Sequence, residues 1–150
     1  MALMKLEVKR IHPNEARSLR HRVLWPHLAT LEECVIDIDL REDAFHLGTF
    51  DGDRLVAIGS FFQMSSPKVE SAFPYRLRAM ASDPDYRGKG CGRLLVEKGL
   101  IILKEKGADV LWCDARLGAV PFYQSMHFEA LQKVYEIPRI GPHLFMWKLV

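Results

Sequence analysis

Alternation of hydrophobic and polar residues predicts most of the strands in this chain of 150 residues. The first alternating stretch covers residues 3–11, and two more, 44–50 and 54–64, flank Asp51-Gly52-Asp53. Asp-Gly between two such stretches is typical of a β-hairpin, so we expect these strands to be antiparallel neighbours. The remaining predicted strands are 75–82, 110–115, 129–137 and 144–149.

Helical periodicity is clearest in residues 90–106, where apolar side chains recur on one side of the helix and charged ones on the other. Gly107 ends this helix, as glycine commonly does. Shorter helices are predicted at 13–24 and 119–126, each with a proline in its first turn, where the missing N–H is tolerated. Residues 26–43 are interpreted as a loop or a short helix with an acidic end.

The order of these elements predicts an α/β or α+β fold with one mixed, mostly antiparallel sheet and helices on both faces. Strand 75–82, helix 90–106 and strand 110–115 form a βαβ unit, so its strands should be parallel and its crossover right-handed. We expect this central parallel pair to splay apart at its carboxyl ends. No repeat or linker divides the sequence, so residues 1–150 are predicted to form a single domain.

Composition and charge exclude several classes of protein. Hydrophobic residues make up 49% of the chain and charged residues 27%, which is typical of a globular domain. A net charge of +2 is too small to indicate a nucleic-acid or membrane partner. No segment has the length of a membrane span or the pattern of a signal peptide. The three cysteines lack a CxxC pair and the histidines lack metal-site spacing, so we predict a cytoplasmic protein with reduced thiols and no metal.

The segment YRGKGCGRLL, residues 86–95, lies between the first strand of the predicted βαβ unit and its helix, and it includes the start of that helix. Glycines let an anion approach the backbone closely, and the first amides of a helix lack intrahelical partners and carry a positive dipole. Three cations add to that field, namely Arg87, Lys89 and Arg93. The segment therefore indicates a cradle for a pyrophosphate group, with a solvated glycine-rich turn as the alternative. Its spacing fits neither a Walker loop nor a dinucleotide-binding GxGxxG motif.

Two motifs carry a resemblance to a known family. The stretch RGKGCG follows ASDPDY and precedes a leucine pair, and AVPFYQSMHF occurs further along the chain. Together they resemble the GNAT superfamily of N-acetyltransferases, whose acetyl-coenzyme A (acetyl-CoA) signature is a strand, V-x-P-x-x-R-G-x-G-x-G and a helix. The early LRHRVLWP and the hairpin sequence are similar to small bacterial members. The resemblance implies the acyl-CoA N-acyltransferase fold, with acetyl-CoA as the acyl donor.

In such enzymes the glycine loop holds the pyrophosphate, and the end of the preceding strand pairs its backbone with the pantetheine arm. The resemblance therefore assigns the pyrophosphate to Arg87, Gly88, Lys89, Gly90, Cys91, Gly92 and Arg93. It assigns the pantetheine arm to the backbone of Met80, Ala81 and Ser82. Backbone pairing of this kind tolerates sequence change, as in β-augmentation, and Ser82 stands where the family usually has valine.

Tyr123 is the catalytic residue that the resemblance implies, because a tyrosine at this point of A-x-x-F/L-Y-x-x-x-G-F typically protonates the departing thiolate. Its ordinary pKa near 10 lies within about two units of that of a thiol, so proton transfer is feasible. The alternative is a tyrosine that only packs in the core. His127 replaces the usual glycine of this motif.

The sequence does not fix the general base. His46 on the first hairpin strand is one candidate, and water or a backbone carbonyl relay is another. Cys91 and Cys113 have no histidine or acid in their own motifs, so we expect direct attack by the amine rather than a nucleophilic cysteine. Asp114 stands where relatives often have asparagine, and its charge would lie near the anionic cofactor unless Arg116 neutralises it.

We therefore expect an N-acetyltransferase that moves the acetyl group of acetyl-CoA to a primary amine of a small molecule or peptide. The alternatives are a non-catalytic acyl-CoA-binding sensor and a protein-modifying acetyltransferase. A cationic amine could be attracted by Asp37, Asp39, Glu42 and Asp43, although such a run is commonly just a solvated surface. The sequence leaves open the acceptor, the acyl-chain length and the oligomeric state, for which a homodimer is one alternative.

Overall fold

A computed structural model describes residues 4–150, and the beginning of the predicted first strand, at residue 3, lies outside the described residues. The helices are α1 at Pro13–Leu19, which continues as a π-helical turn over Arg20–Leu24, α2 at Cys91–Lys106 and α3 at Val120–Ser125. Short 3-10 helices lie at Leu31–Glu33, Pro84–Tyr86 and Leu117–Ala119. The strands are β1 Leu6–Arg10, β2 Phe45–Asp51, β3 Arg54–Gln63, β4 Pro74–Ser82, β5 Val110–Arg116, β6 Glu129–Ala130, β7 Tyr135–Ile137 and β8 Gly141–Leu149.

The described strands form one eight-stranded sheet in the order β1-β2-β3-β4-β5-β8-β6, with β7 also pairing with β8. The predicted hairpin is confirmed, since β2 and β3 pair antiparallel. The predicted parallel pair is confirmed as well, because Pro74, Tyr75 and Arg76 of β4 lie opposite Val110, Leu111 and Trp112 of β5. On its other side, β5 pairs antiparallel with β8 over all of its residues. The sheet is therefore mixed and mostly antiparallel, as the predicted fold class requires.

The prediction of one strand over 129–137 is wrong, because the chain forms β6 and β7 with a break between them. Glu129 lies opposite Trp147, and Tyr135 lies opposite His143. Seven residues, Glu129 to Tyr135, therefore lie along five residues of β8, and the two extra residues are accommodated in the exposed segment 131–134. Strand β8 begins at Gly141, three residues before the predicted start at 144, because β7 pairs with its first residues.

The chain divides into two compact units, and the first comprises the chain up to Phe62 together with Arg78–Ile101. In this unit Ala16 and Leu19 of α1 pack against Ile58 of β3. Gly99 of α2 lies against the ring of Phe61, so closely that a Cβ there would come within 2.4 Å of a ring atom. Ile58 and Phe61 point to opposite faces of the strand because side chains alternate. The first unit therefore has helices on both faces of its sheet.

The second unit comprises Gln63–Leu77 and Ile102–Val150. Its core contains Val110, Trp112 and Phe145, with Tyr135 and other partly buried side chains packed against them. The Trp112 and Phe145 rings stack with their centroids 5.4 Å apart. The indole N–H of Trp112 donates to the Met64 carbonyl at 2.8 Å, which satisfies the polar atom of an otherwise apolar cluster.

A buried ion pair organises the interior of the first unit. The Arg20 side chain is fully buried and makes two hydrogen bonds, at 2.7 and 2.8 Å, to the carboxylate of Asp39. It also donates to the Cys34 carbonyl at 3.2 Å and to the Ser60 hydroxyl at 3.0 Å. Burial opposes ionisation of Asp39, but the hydrogen bonds from Arg20 and from the Ile36 amide outweigh it and lower the pKa of this carboxyl. The pair therefore connects the π-helical turn, residues 34–39 and strand β3.

Replacing Asp39 with Asn should lower the free energy of unfolding at pH 7 by about 3 to 5 kcal/mol, because it leaves the buried Arg20 charge without a counter-ion. The matched control is Asp37→Asn, since Asp37 is exposed in the same segment. Urea unfolding of both variants and the parent measures the difference.

The loss of unfolding free energy caused by Asp39→Asn should become smaller as the pH falls. The pKa of Asp39 is lower in the folded protein than in the unfolded chain. The ionised carboxylate therefore stabilises the fold fully at pH values above the pKa of the unfolded chain, and this stabilisation is lost as the pH falls through the pKa of the folded protein. The difference between parent and Asp39→Asn should therefore shrink below about pH 4. A difference that stays constant from pH 7 to pH 3 would contradict this assignment.

Candidate functional site

The glycine loop of the first unit connects the end of β4 to the start of α2. Gly88 has φ 76° and Gly90 has φ 85°, a left-handed conformation that residues with a side chain rarely adopt. A Cβ at either position would meet no heavy atom within 4 Å. The glycines are therefore required by the backbone conformation rather than by crowding, and the space beside them is open to a ligand.

Helix α2 begins at Cys91 and presents its first amides to that space. The Leu94 amide already bonds the Gly90 carbonyl at 3.0 Å, whereas the three amides before it, of residues 91–93, belong to the first turn, which has no intrahelical acceptors. The Cys91 thiol is buried, and burial raises its pKa. Cys91 would therefore contact a ligand through its backbone amide rather than through its side chain. A helix start of this kind favours an anion.

Three cations of the loop have exposed side chains, namely Arg87, Lys89 and Arg93. The Lys89 ammonium lies 5.3 Å from the centroid of the Tyr86 ring. Arg93 lies 3.9 Å from the carboxylate of Glu97, one turn further along α2. The predicted cations therefore lie in or beside a loop that leads into a helix start with left-handed glycines, a combination that favours an anion.

The end of β4 contains a strained residue that the sequence did not reveal. Ala79 has φ 52°, although it is not glycine and lies inside a strand. A left-handed residue interrupts the regular direction of the strand's amides and carbonyls, and such strained positions cluster at ligand sites. The next residues are Met80, Ala81 and Ser82, whose backbone the resemblance assigns to pantetheine. Ala81 is buried in the cluster of α1, so its backbone alone is available.

Tyr123 lies in α3 of the second unit and is 5% exposed. Its ring meets those of Phe122 and Phe128 edge-on, with centroids 5.1 and 5.2 Å away. Burial raises the pKa of Tyr123 well above its ordinary value, and the interaction with the neighbouring Cys113 side chain raises it further. The hydroxyl therefore keeps its proton, which is the state that a general acid needs.

His46 is engaged in the interior of the first unit. Its Nδ1 lies 2.8 Å from the Ser60 hydroxyl and its Nε2 lies 2.9 Å from the Asp39 carbonyl oxygen. Burial lowers its pKa. Because both ring nitrogens have interior partners, we interpret His46 as a structural residue of the Arg20–Asp39 network rather than as the general base.

Asp114 has a partner that the sequence analysis did not consider. Arg76 of β4 donates to one carboxylate oxygen of Asp114 at 2.7 Å, and the Tyr135 hydroxyl donates to the other. Burial and the bond to Asp114 raise the pKa of Tyr135. The parallel register brings the two side chains together, since Arg76 lies opposite Trp112, two residues before Asp114, and the sequence does not reveal this register.

The acidic run does not form one surface of four carboxylates. Asp39 is buried against Arg20, and Arg41 binds Asp43 at 2.8 Å. Asp37 and Glu42 are exposed. The run is therefore partly a structural element, and its attraction for a cationic amine rests on the exposed members.

Two kinds of feature are absent from residues 4–150. No helix there combines the length and apolarity needed to cross a membrane. No group of three or more His, Cys, Asp or Glu side chains in the same residues is arranged to hold a metal ion.

Comparison with known proteins identifies the family. The family model described as "Acetyltransferase (GNAT) family" matches residues 10–128. This chain belongs to the GNAT acetyltransferase family. A curated relative from Bacillus subtilis (strain 168), named Uncharacterized N-acetyltransferase YitI, is 37% identical over 143 residues, which cover 95% of each chain.

Solved structures share the GNAT fold. FeeM, an N-acyl amino acid synthase from uncultured soil microbes, has a TM-score of 0.77 and 15% identity, covering 99% of this chain and 92% of FeeM. Escherichia coli ElaA has a TM-score of 0.68 and 23% identity, covering 96% of this chain and 99% of ElaA. The ribosomal-protein-S18-alanine N-acetyltransferase of E. coli has a TM-score of 0.72 and 16% identity, covering 97% of this chain and 94% of that one. At these identities the likeness shows the fold alone.

The GNAT motif also explains one feature of the turn after α3. His127 has φ 67°, and its position is where the motif usually has glycine. The left-handed conformation is therefore retained although the glycine is not. Its amide donates to the Gln124 carbonyl at 3.0 Å, which closes the turn that returns the chain to β6.

Gly90→Glu should abolish binding of coenzyme A, because it places a side chain and a negative charge in the open space beside the helix start. The matched control is Gly107→Glu, since Gly107 has the same φ of 85° and equally open surroundings at the other end of α2. Both variants carry the same backbone strain and the same added charge.

Calorimetric titration with coenzyme A measures the affinities, and thermal unfolding compares the folded states. We expect no detectable binding by Gly90→Glu and an unchanged affinity for Gly107→Glu. Equal affinities of the parent and Gly90→Glu would eliminate the loop as the cofactor site.

Proposed function

We propose that this protein transfers the acetyl group of acetyl-CoA to a primary amine of a small molecule or peptide, by direct attack in a ternary complex. The observation that carries the proposal is the loop with left-handed Gly88 and Gly90 at the start of α2. Membership of an acetyltransferase family supports the reaction class. The residues from Arg87 to Arg93 would bind the pyrophosphate, and the backbone of Met80, Ala81 and Ser82 would pair with the pantetheine arm.

In the proposed reaction the neutral amine nitrogen attacks the thioester carbonyl carbon and forms the new C–N bond. The intermediate then expels the thiolate as the C–S bond breaks, and the nitrogen loses its proton. Tyr123 would donate its phenolic proton to the departing sulfur and recover one from solvent afterwards. Its raised pKa keeps the hydroxyl protonated, but it also widens the gap to the pKa of a thiol, so the transfer would depend on the negative charge that develops on the departing sulfur. Water, directly or through a backbone carbonyl relay, would accept the amine proton, since His46 is engaged elsewhere.

A nucleophilic cysteine is disfavoured by the same environment. Burial raises the pKa of the Cys113 thiol, and the nearby Asp114 charge raises it further. The Cys91 thiol is also buried, with a raised pKa. Because the thiolate is the reactive form, neither residue is suited to a covalent acetyl-enzyme step. This supports direct attack by the amine.

The alternative is a non-catalytic module that binds acyl-CoA as a sensor. One observation favours it: the Tyr123 ring is packed between two phenylalanines, as a purely structural tyrosine would be. A protein-modifying enzyme is the second alternative, and the known relatives differ in acceptor. FeeM is named an N-acyl amino acid synthase, whereas one of the two E. coli structures is named a ribosomal-protein-S18-alanine N-acetyltransferase.

We further propose that residues 1–150 act as one GNAT domain and that the protein works in the cytoplasm, where acetyl-CoA is available. The coverage of YitI, 95% of each chain, supports one domain of this size. The proposed reaction is compatible with a homodimer. It requires neither a nucleic acid nor a membrane as a partner.

A panel of amines tests the reaction directly. The parent protein, acetyl-CoA and each amine are combined, and the free thiol of coenzyme A is measured with a chromogenic disulfide. We expect at least one small primary amine or short peptide to release thiol in proportion to enzyme concentration, and Gly90→Glu to release none. Tight binding of acetyl-CoA with no thiol release across small amines, peptides and protein substrates would favour the sensor.

Tyr123→Phe should lower kcat about a hundredfold or more, since it removes the proposed proton donor while the buried ring remains. Affinity for coenzyme A should hardly change, because the residues assigned to the cofactor lie elsewhere in the chain. Turnover with one accepted amine and calorimetric titration provide the two measurements.

Cys113→Ala is the matched control for that experiment. It deprives the Tyr123 hydroxyl of its sulfur neighbour but leaves the proton donor in place. Turnover should therefore fall much less than in Tyr123→Phe. A Tyr123→Phe variant within about threefold of the parent, with chemistry rate-limiting, would show that the hydroxyl is not the acid.

A further inference from the structure

Three side-chain contacts within the first unit connect the β2–β3 hairpin to the glycine loop. The Thr49 hydroxyl donates to the Cys91 carbonyl at 2.9 Å, at the first residue of α2. The Tyr86 hydroxyl donates to the Asp51 carboxylate at 2.6 Å. Arg54, on the other strand of the hairpin, donates to the Asp83 carboxylate at 3.0 Å. The contacts are spread from residue 83 to residue 91, which is the length of the loop.

We propose that Tyr86, held by Asp51, is a positioning residue that fixes the loop and its Lys89 for binding of the cofactor pyrophosphate. This inference rests on the proposed cofactor site. It adds two residues to which neither the sequence motif nor the resemblance gives a role, one of them at the end of β2, beside the hairpin turn.

Tyr86 contacts Lys89 in two ways. Its carbonyl accepts a hydrogen bond from the Lys89 amide at 3.3 Å, and its ring lies 5.3 Å from the Lys89 ammonium. The Arg54 guanidinium lies 5.0 Å from the same ring centroid. The ring therefore gives a long, exposed lysine a preferred place by cation–π attraction. The bond to Asp51 in turn restricts where the ring can lie.

Charge gives the contacts a second consequence. Three carboxylates, of Asp51, Asp83 and Asp85, lie in the contact region, and unpaired they would repel an incoming pyrophosphate. Asp83 is paired with Arg54 at 3.0 Å and with Arg22 at 3.4 Å. The Asp85 amide and these arginines lower the pKa of Asp83 despite its burial. The Asp51 carboxylate accepts the hydrogen bond from the Tyr86 hydroxyl, and this bond raises the pKa of Tyr86.

A loop with two left-handed glycines has many alternative conformations, so ordering it on binding would cost affinity. The contacts with the hairpin hold it in one conformation before the ligand arrives. Breaking the Tyr86–Asp51 bond should therefore weaken coenzyme A binding and leave the fold unchanged, because the remaining contacts still join hairpin and loop.

The experiment compares Tyr86→Phe, Tyr86→Leu and Asp51→Ala in the full chain, with calorimetric titration of coenzyme A. Tyr86→Phe keeps the ring and loses the bond to a charged acceptor, so its Kd should rise about tenfold. Tyr86→Leu also loses the aromatic contact with Lys89 and should bind more weakly still. Asp53→Asn is the matched control, since Asp53 is exposed in the same turn; its Kd should equal that of the parent.

Two readouts separate positioning from a structural role. The melting temperature without ligand should stay within about 3 °C of the parent for Tyr86→Phe, so that the change is in affinity. The double variant Tyr86→Phe with Asp51→Ala should bind no more weakly than the weaker of the two single variants, since they break the same bond. Additive losses, or an affinity loss that accompanies a large drop in melting temperature, would overturn the proposal.

The parent distinguishes failure of this inference from failure of the proposed function. If the parent does not bind coenzyme A, the cofactor site itself is wrong and the inference falls with it. If the parent binds and Tyr86→Phe has the same Kd, the cofactor site stands and the positioning role alone is rejected.

Discussion

A fully buried guanidinium is the constraint from which the first unit is built. Arg20 cannot stay ionised in the interior without a counter-charge and acceptors for its hydrogen bonds. Asp39, the Cys34 carbonyl and the Ser60 hydroxyl supply them, so residues 34–39 must lie against β3. The same requirement occupies His46, which bonds both Ser60 and the Asp39 carbonyl. A histidine with a plausible catalytic place in the sequence thus becomes part of the support for the hairpin.

The β2–β3 hairpin connects the buried Arg20–Asp39 network to the glycine loop. Its strands pack on α1 on one face and α2 on the other, and its turn end carries the residues that hold the glycine loop. The loop itself has little to stabilise it, because its glycines are left-handed and its cations are exposed. Rigidity is therefore supplied from the neighbouring strands rather than from the motif. This arrangement leaves open space beside the first turn of α2 and joins the loop to the hairpin by side-chain contacts.

Local chemistry explains which parts of this structure were predictable. The hairpin follows from Asp-Gly between alternating stretches, and the glycine loop and α2 follow from local composition and periodicity, so a single sequence is enough for them. The pairing of Arg76 with Asp114 depends on the register between two strands that are distant in sequence. The break between β6 and β7 likewise depends on which residues of β8 each of them pairs with. The buried state of Asp39 depends on Arg20, nineteen residues earlier, and nothing local separates it from its exposed neighbour Asp37. Long-range pairing was therefore the limit of the sequence analysis.

Three described residues hold a left-handed backbone without being glycine. Arg139 lies in the turn between β7 and β8, whereas the other two lie near residues assigned to the cofactor or to catalysis. Ala79 precedes Met80, and His127 lies four residues after Tyr123. Each such conformation costs on the order of 1 to 3 kcal/mol and persists only where the surroundings dictate it. His127 lies between Met126 and Phe128, which are buried, and Ala79 is followed closely by the buried Ala81. Burial on either side can thus fix a backbone that the residue itself disfavours. Stability is given up at these two places, as is expected where a fold must present backbone groups or an aromatic hydroxyl in one direction.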